Sequence, residues 1–181
     1  MEHVLSERVF DVPMTAQRYL EIGRAGASCF DLYRVTYKGS YLAKDGLRAI
    51  CVFNAPDAEA LRNVARDLAM PARAVWSGTY HHPPATADMA PDGRQTVVVE
   101  RCFPEPETLD NLQSREDARA WCLDAYGVTF LKTYFSLDRR RMVCVYAAPD
   151  AEAVRRVQDT TGLPYDRAWA ADVLGWQAAP S

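Results

Sequence analysis

A repeat constrains this chain more than any local motif does. Displaced by 93 residues, the sequence aligns residues 3–80 with residues 96–173 without a gap, and 28 of the 78 pairs are identical. Glu7-Arg8-x-Phe10 returns as Glu100-Arg101-x-Phe103, and Ala55-Pro56-Asp57-Ala58-Glu59-Ala60 returns as Ala148-Pro149-Asp150-Ala151-Glu152-Ala153. The same step carries Cys29 to Cys122, Asp31 to Asp124, Tyr41 to Tyr134, Cys51 to Cys144 and Trp76 to Trp169. Identity in register over this length marks a duplicated domain. The chain is therefore read as repeat 1 over 1–80, a linker rich in proline and small residues over 81–94, and repeat 2 over 95–181.

Each repeat has the pattern of one small fold. Val4–Phe10 and Val97–Phe103 are β-prone runs stopped by proline, and each predicts a first strand. Thr15 and Thr108 are placed to cap a helix reaching about Tyr33 and Tyr126. Hairpins follow around Lys44-Asp45-Gly46 and Leu137-Asp138-Arg139. The Ala-Pro-Asp-Ala-Glu-Ala segments open a second helix, since proline fixes φ and the acids suit the helix N-terminus. A last strand carries Trp76 or Trp169. The order βαββαβ is ferredoxin-like, so the fold class is α+β with two tandem repeats. Ala49–Phe53 and Met142–Tyr146 are apolar without alternation, which predicts strands buried on both faces. Helices cover one face only, so the repeats are expected to pack sheet to sheet as an intramolecular pseudo-dimer. The expected assembly is a monomeric pseudo-dimer or a weak homodimer.

Charge and composition narrow the partners. A net charge of −3 offers no global field for nucleic acid or an anionic membrane. No apolar run approaches the roughly 20 residues of a transmembrane helix, and the start, Met1-Glu2-His3-Val4, lacks the pattern of a signal peptide. Five cysteines suit reduced thiols better than a disulfide framework, and the expected location is cytoplasmic. An RNA-recognition reading fails because Arg140–Tyr146 offers a base only one aromatic, Tyr146. There is no phosphate loop, metal-binding CxxC pair, HExxH motif or nucleophile elbow.

Gly127–Tyr134, Val143-Cys144-Val145-Tyr146-x-Ala148-Pro149-Asp150-Ala151-Glu152-Ala153 and Gly162-Leu163-Pro164 resemble the bacterial nickel-binding ferredoxin-like domain family. The resemblance covers both repeats. It implies a dimeric α+β barrel, here with the two partners fused in one chain, and nickel as a family ligand. Family members commonly carry one histidine on the second strand and another in the second helix; the matching positions are Gly39 and Lys132 on the strand, and Ala65 and Gln158 on the helix. Nickel needs imidazole or thiolate donors converging on a point. With the imidazoles replaced and one matching cysteine per repeat, Cys51 and Cys144, the expectation is no cofactor and no resident metal.

The candidate site is then an organic pocket. Lys132 shares strand parity with Phe130 and Tyr134, on a face assigned also to Tyr126 and Val128. Desolvation lowers a lysine's pKa, so such a group could act as base, Schiff-base nucleophile or anion clamp; the competing reading is an ammonium that snorkels to water. Glu100 is the candidate proton carrier beside Lys132 and Tyr134, although its recurrence as Glu7 favours a structural pairing within each repeat, with Arg8 and Arg101 pointing the opposite way. Tyr126, Phe130, Cys144, Tyr146, Tyr41 and Glu7 complete the expected binding residues. His81 and His82 read as solvated linker residues. The resulting expectation is a small-molecule pocket protein, leaning to a cofactor-independent acid/base enzyme of the isomerase, cyclase or monooxygenase kind, by analogy with similar barrels. A metal-responsive protein and a non-catalytic scaffold are the alternatives.

Overall fold

The computed structural model describes residues 1–83, 93–118 and 120–175. Most of the expected linker, residues 84–92, lies outside the described residues, as does the chain beyond 175. Two compact units emerge. The first holds residues 1–78 and the chain from Asp172 onward, and the second holds Thr79–Ala171.

The first unit contains β1 (Glu2–Val9), α1 (Ala16–Ala25), α2 (Ala27–Leu32), β2 (Thr36–Ala43), β3 (Arg48–Ala55), α3 (Ala58–Asp67) and the first residues of β4 (Ala74–His81). Its antiparallel strands run β2-β3-β1-β4, with β1 in the middle as the ferredoxin-like order requires. The second unit repeats the plan with β5 (Gln95–Cys102), α4 (Leu109–Asp117), α5 (Trp121–Ala125), β6 (Thr129–Ser136), β7 (Arg141–Ala148), α6 (Ala151–Thr161) and β8 (Arg167–Leu174), paired β6-β7-β5-β8. The end of β4 belongs to the second unit and the end of β8 to the first.

Local chemistry explains these elements. Thr15 accepts from the Arg18 amide (3.3 Å), while Asp57 and Asp150 accept from the amides of Ala60 and Ala153, both at 2.8 Å, so α1, α3 and α6 each start on a side-chain cap. Gly46, at φ +71°, turns the first hairpin where a Cβ would lie 2.7 Å from the Met14 carbonyl oxygen. Strand alternation sends Val4, Cys51 and Phe53 toward the helices of the first unit and Val97, Val99, Cys144 and Tyr146 toward those of the second. Leu5, Val52, Val98, Val143 and Val145, on the opposite faces, are also fully buried, as the unbroken apolar runs require.

Two features depart from the sequence reading. The first helix of each repeat is not continuous. In repeat 1 it breaks at Gly26, where the Leu68 side chain comes so close that a Cβ would sit 2.5 Å from Leu68 Cδ1. The second departure is a bulge at one position in both repeats, between Tyr37 and Gly39 on β2 and between Phe130 and Lys132 on β6. The extra residue reverses which face the following side chains meet.

Candidate functional site

Beneath the helices of the first unit lies a cavity of about 380 Å³, inside the roughly 300–1,000 Å³ range of small-molecule sites. Its floor comes from β1, β2 and β3, and its roof from α1, α2 and α3. Leu61 and Val64 of α3 and Leu68 just beyond it, with Phe30 and Phe53, make most of it apolar, and Arg24 and Asp31 are exposed at its rim.

Three polar groups enter this wall from buried or half-buried positions. Arg8 lies on the helix side of β1 and is only 7% exposed. Its Nη1 donates to the carbonyls of Met70 (2.5 Å) and Pro71 (3.3 Å), while Nε is buried with no hydrogen-bond partner. The Tyr19 hydroxyl sits 2.5 Å from Cys51 Sγ, and burial pushes its pKa well above the usual phenol value. Tyr37 donates its hydroxyl to Ser40 Oγ at 2.9 Å, with the Leu174 carbonyl at 3.3 Å, and burial pushes its pKa to about 12. Both phenols therefore stay protonated at neutral pH.

Repeat 2 treats the equivalent place differently. Arg101, the counterpart of Arg8, donates through Nη1 to the Pro164 carbonyl (2.6 Å) and through Nη2 to Gln158 Oε1 (2.5 Å). Gln158 is 1% exposed and stands where repeat 1 has Ala65. Leu112, Phe130 and Val99 replace Tyr19, Tyr37 and Ser6, so hydroxyls give way to hydrocarbon.

The residues singled out from sequence do not form one pocket. Lys132 and Tyr134 share the face of their sheet turned away from the helices, where Tyr134, Val143, Glu100 and Arg167 form one cross-strand row. Lys132 is 1% exposed, with its Nζ 6.0 Å from the centre of the Tyr80 ring, which itself packs on Tyr134 at 5.2 Å. Glu100 is held by Trp169 Nε1 (2.7 Å) and by Arg167 Nη1 (3.3 Å), and Glu7 by Trp76 Nε1 (2.8 Å). The sharing of a face by Lys132 and Phe130, read from strict alternation, is corrected by the bulge: Phe130 turns to the helix side and packs edge-on against Tyr146 at 5.6 Å. Tyr126 packs on that same helix-side core, and Cys144 lies there beside Thr133 Oγ1 at 3.2 Å. Tyr41 is buried in the other unit, paired with Ile50 in the row that contains Glu7.

A second cavity, of about 560 Å³, lies in the second unit below α4, with His81, His82, Phe130 and Thr133 in its wall. His81 ends β4 and its Nε2 lies 2.7 Å from Thr79 Oγ1; His82 Nδ1 lies 2.8 Å from the Pro83 carbonyl. Neither cavity is lined by Lys132, Tyr134 or Glu100.

A family profile described as "Nickel responsive protein SCO4226-like" matches residues 2–77 and 98–170. The chain belongs to that family. No curated protein matches it. A mutant chlorite dismutase from Candidatus Nitrospira defluvii is 8% identical, with a TM-score of 0.54 over 94% of this chain and 91% of that one. Chlorite dismutase from the same organism in complex with imidazole is 9% identical, with a TM-score of 0.52 over 96% and 91%. SCO4226 from Streptomyces coelicolor A3(2) is 16% identical over 47% of this chain and 99% of its own, at a TM-score of 0.38. The fold is the dimeric α+β barrel type built from two ferredoxin-like repeats.

Membership of the SCO4226-like family raises nickel, and the residues present do not fit it. The positions matched to the family's histidines hold Gly39, Lys132, Ala65 and Gln158, of which Gln158 is spent on Arg101. Cys51 and Cys144 each lie against a hydroxyl. Among the described residues no three His, Cys, Asp or Glu side chains converge to hold an ion. Among them, too, no helix is long and apolar enough to cross a membrane.

Arg8, Tyr19, Tyr37 and Ala65 were not marked as site residues by the sequence reading. The signal was available as a difference between the copies: a pocket is built where one repeat has Tyr, Tyr and Ala against Leu, Phe and Gln in the other.

Proposed function

We propose that this chain binds a small organic molecule in the cavity of its first repeat. The observation that carries the reading is the conjunction of an apolar chamber of about 380 Å³ with three polar side chains, Arg8, Tyr19 and Tyr37, in its wall. Close-packed interiors do not normally keep a void of this size beside a buried cation. The likeness to chlorite dismutases, one of them complexed with imidazole, supports a ligand-binding reading of the barrel without naming the ligand.

The test uses 1-octanol as an uncharged apolar probe, with methyl resonances of Leu61, Val64 and Leu68 as reporters. Saturable shifts at these methyls are expected in the wild type and not in Gly23→Leu, because Gly23 lines the cavity and a side chain there enters open space. Unchanged shifts in the wild type, or equal shifts in the variant, would overturn the reading.

A catalytic reading of Lys132, Tyr134 and Glu100 is favoured by one observation, a lysine buried to 1% exposure beside two tyrosine rings. In that reading Lys132 is the reactive cation and Tyr134 its donor neighbour, while Glu100, held by Trp169 and Arg167, orients the row rather than moving a proton. Lys132→Met would abolish turnover while octanol still binds the first-repeat cavity; undiminished turnover would remove the lysine from the chemistry.

A further inference from the structure

Arg8 and Arg101 occupy the same place in two copies of one fold, yet only one of them is fully engaged. Each guanidinium anchors Nη1 on a backbone carbonyl of the loop that follows the second helix. Arg101 then turns Nη2 to Gln158 Oε1. At Arg8 that edge is unspent: both of its hydrogen bonds leave through Nη1, and Nε has no acceptor. The difference traces to Ala65, whose methyl stops short of the place that the Gln158 carboxamide fills.

A buried guanidinium with one edge unpaired is costly, because desolvation of the charge is only partly compensated. Among the described residues no carboxylate forms an ion pair with Arg8; Asp31 lines the same cavity but lies exposed at its rim. An Nε/Nη2 edge presents two parallel donors that match the two oxygens of a carboxylate. The space vacated at Ala65 is continuous with a chamber walled by Leu61, Val64, Leu68 and Phe30.

Resting on the binding reading above, we infer that the ligand of the first-repeat cavity is a small monocarboxylic acid, with its carboxylate on the Nε/Nη2 edge of Arg8 and its hydrocarbon body against α3. The Tyr19 and Tyr37 hydroxyls, held by Cys51 and Ser40, add neutral polarity to the same wall, and burial keeps them protonated. The rim pair Arg24 and Asp31 carries opposite charges, so the selectivity for an anion arises inside, at Arg8, rather than at the mouth. In repeat 2 the matching edge of Arg101 is taken by Gln158, and the cavity of that unit is not lined by Arg101, so one equivalent of acid is expected per chain.

The experiment compares octanoate, 3-phenylpropanoate and 1-octanol by calorimetry and methyl shifts at pH 7.5, on wild type, Arg8→Met and Ala65→Gln. In the wild type at least one acid should bind about tenfold or more tighter than the alcohol, the scale of one charge-assisted hydrogen bond. Arg8→Met should abolish that preference while the alcohol still binds. Ala65→Gln recreates the pair of repeat 2, so it should fold as the wild type does and lose the acids. Should octanol bind while neither acid gains over it, the cavity reading stands and the carboxylate assignment falls. If neither the acids nor the alcohol shifts the cavity methyls, both fall. Retention of the acid preference in Ala65→Gln would equally remove Arg8 as the anchor.

Discussion

The two repeats share an arginine anchored on the loop after a helix, and they differ in what meets its second edge, Ala65 in one and Gln158 in the other. In repeat 2 the Arg101–Gln158 pair fills the space beside the guanidinium, and the cavity of that unit, below α4, is not lined by Arg101. In repeat 1 alanine leaves the arginine half engaged and hydroxyls replace hydrocarbon. The comparison teaches that a duplicated fold can stabilise one copy with the interaction it gives up in the other. Repeat 2 holds the version with a paired arginine, and repeat 1 holds the version whose arginine keeps an unspent edge in the cavity wall.

The coarsest way to break this contrast is a metal. If the SCO4226-like chain retained nickel near one equivalent after desalting, in untagged form, a donor set other than the described residues would hold it, and the organic site would lose its place as the functional centre. Elemental analysis is expected to find far less than one equivalent. The next largest difference should appear between two equivalent substitutions. Arg101→Met strands a buried Gln158 and should cost about 3 kcal/mol, whereas Arg8→Met removes a cation whose edge is unspent and should cost about 1 kcal/mol. Urea melts of both variants check this, and equal losses would show that the arginines do the same work.

Alkali should sharpen the contrast further. The Tyr37 phenol titrates at about 12 in the folded chain against about 10 when unfolded. Its neutral form is the one the fold favours, so its contribution is complete below pH 10 and is lost as pH rises through 12. Repeat 2 has Phe130 at that position. The loss of stability between pH 10 and 12 should therefore shrink in Tyr37→Phe; an identical profile would locate the alkaline sensitivity elsewhere. The smallest expected effect is a gain. Gly23 is helical and a Cβ there meets nothing within 4 Å, so Gly23→Ala should stabilise by about 0.5–1 kcal/mol.

Much of the fold was legible because duplication writes each signal twice: the proline stops, the Asp caps and the apolar strands recur at one interval. The site was less legible, for physical reasons. Periodicity assumes one residue per step, and the bulge before Lys132 breaks that rule without any glycine or proline to announce it, so Phe130 was placed on the wrong face. The break at Gly26 depends on the Leu68 side chain packed against it, a contact that local sequence does not carry. Shared residues such as Glu7 and Glu100 drew attention, but they hold tryptophans. What the cavity needed was the opposite signal, an alanine where the sister copy is large.

The first unit is discontinuous in sequence, because the end of β8 completes it. Leu174 belongs to its core and supplies the carbonyl beside the Tyr37 hydroxyl, and Asp172 pairs with Lys44. During synthesis, repeat 1 leaves the ribosome well before these residues exist; at about 5–20 residues per second, the gap is roughly 5–20 s. Through that interval the nascent chain lacks part of the frame around its own cavity. The frame around the cavity of repeat 1 is completed by β8, which is made after both hairpin strands of that repeat.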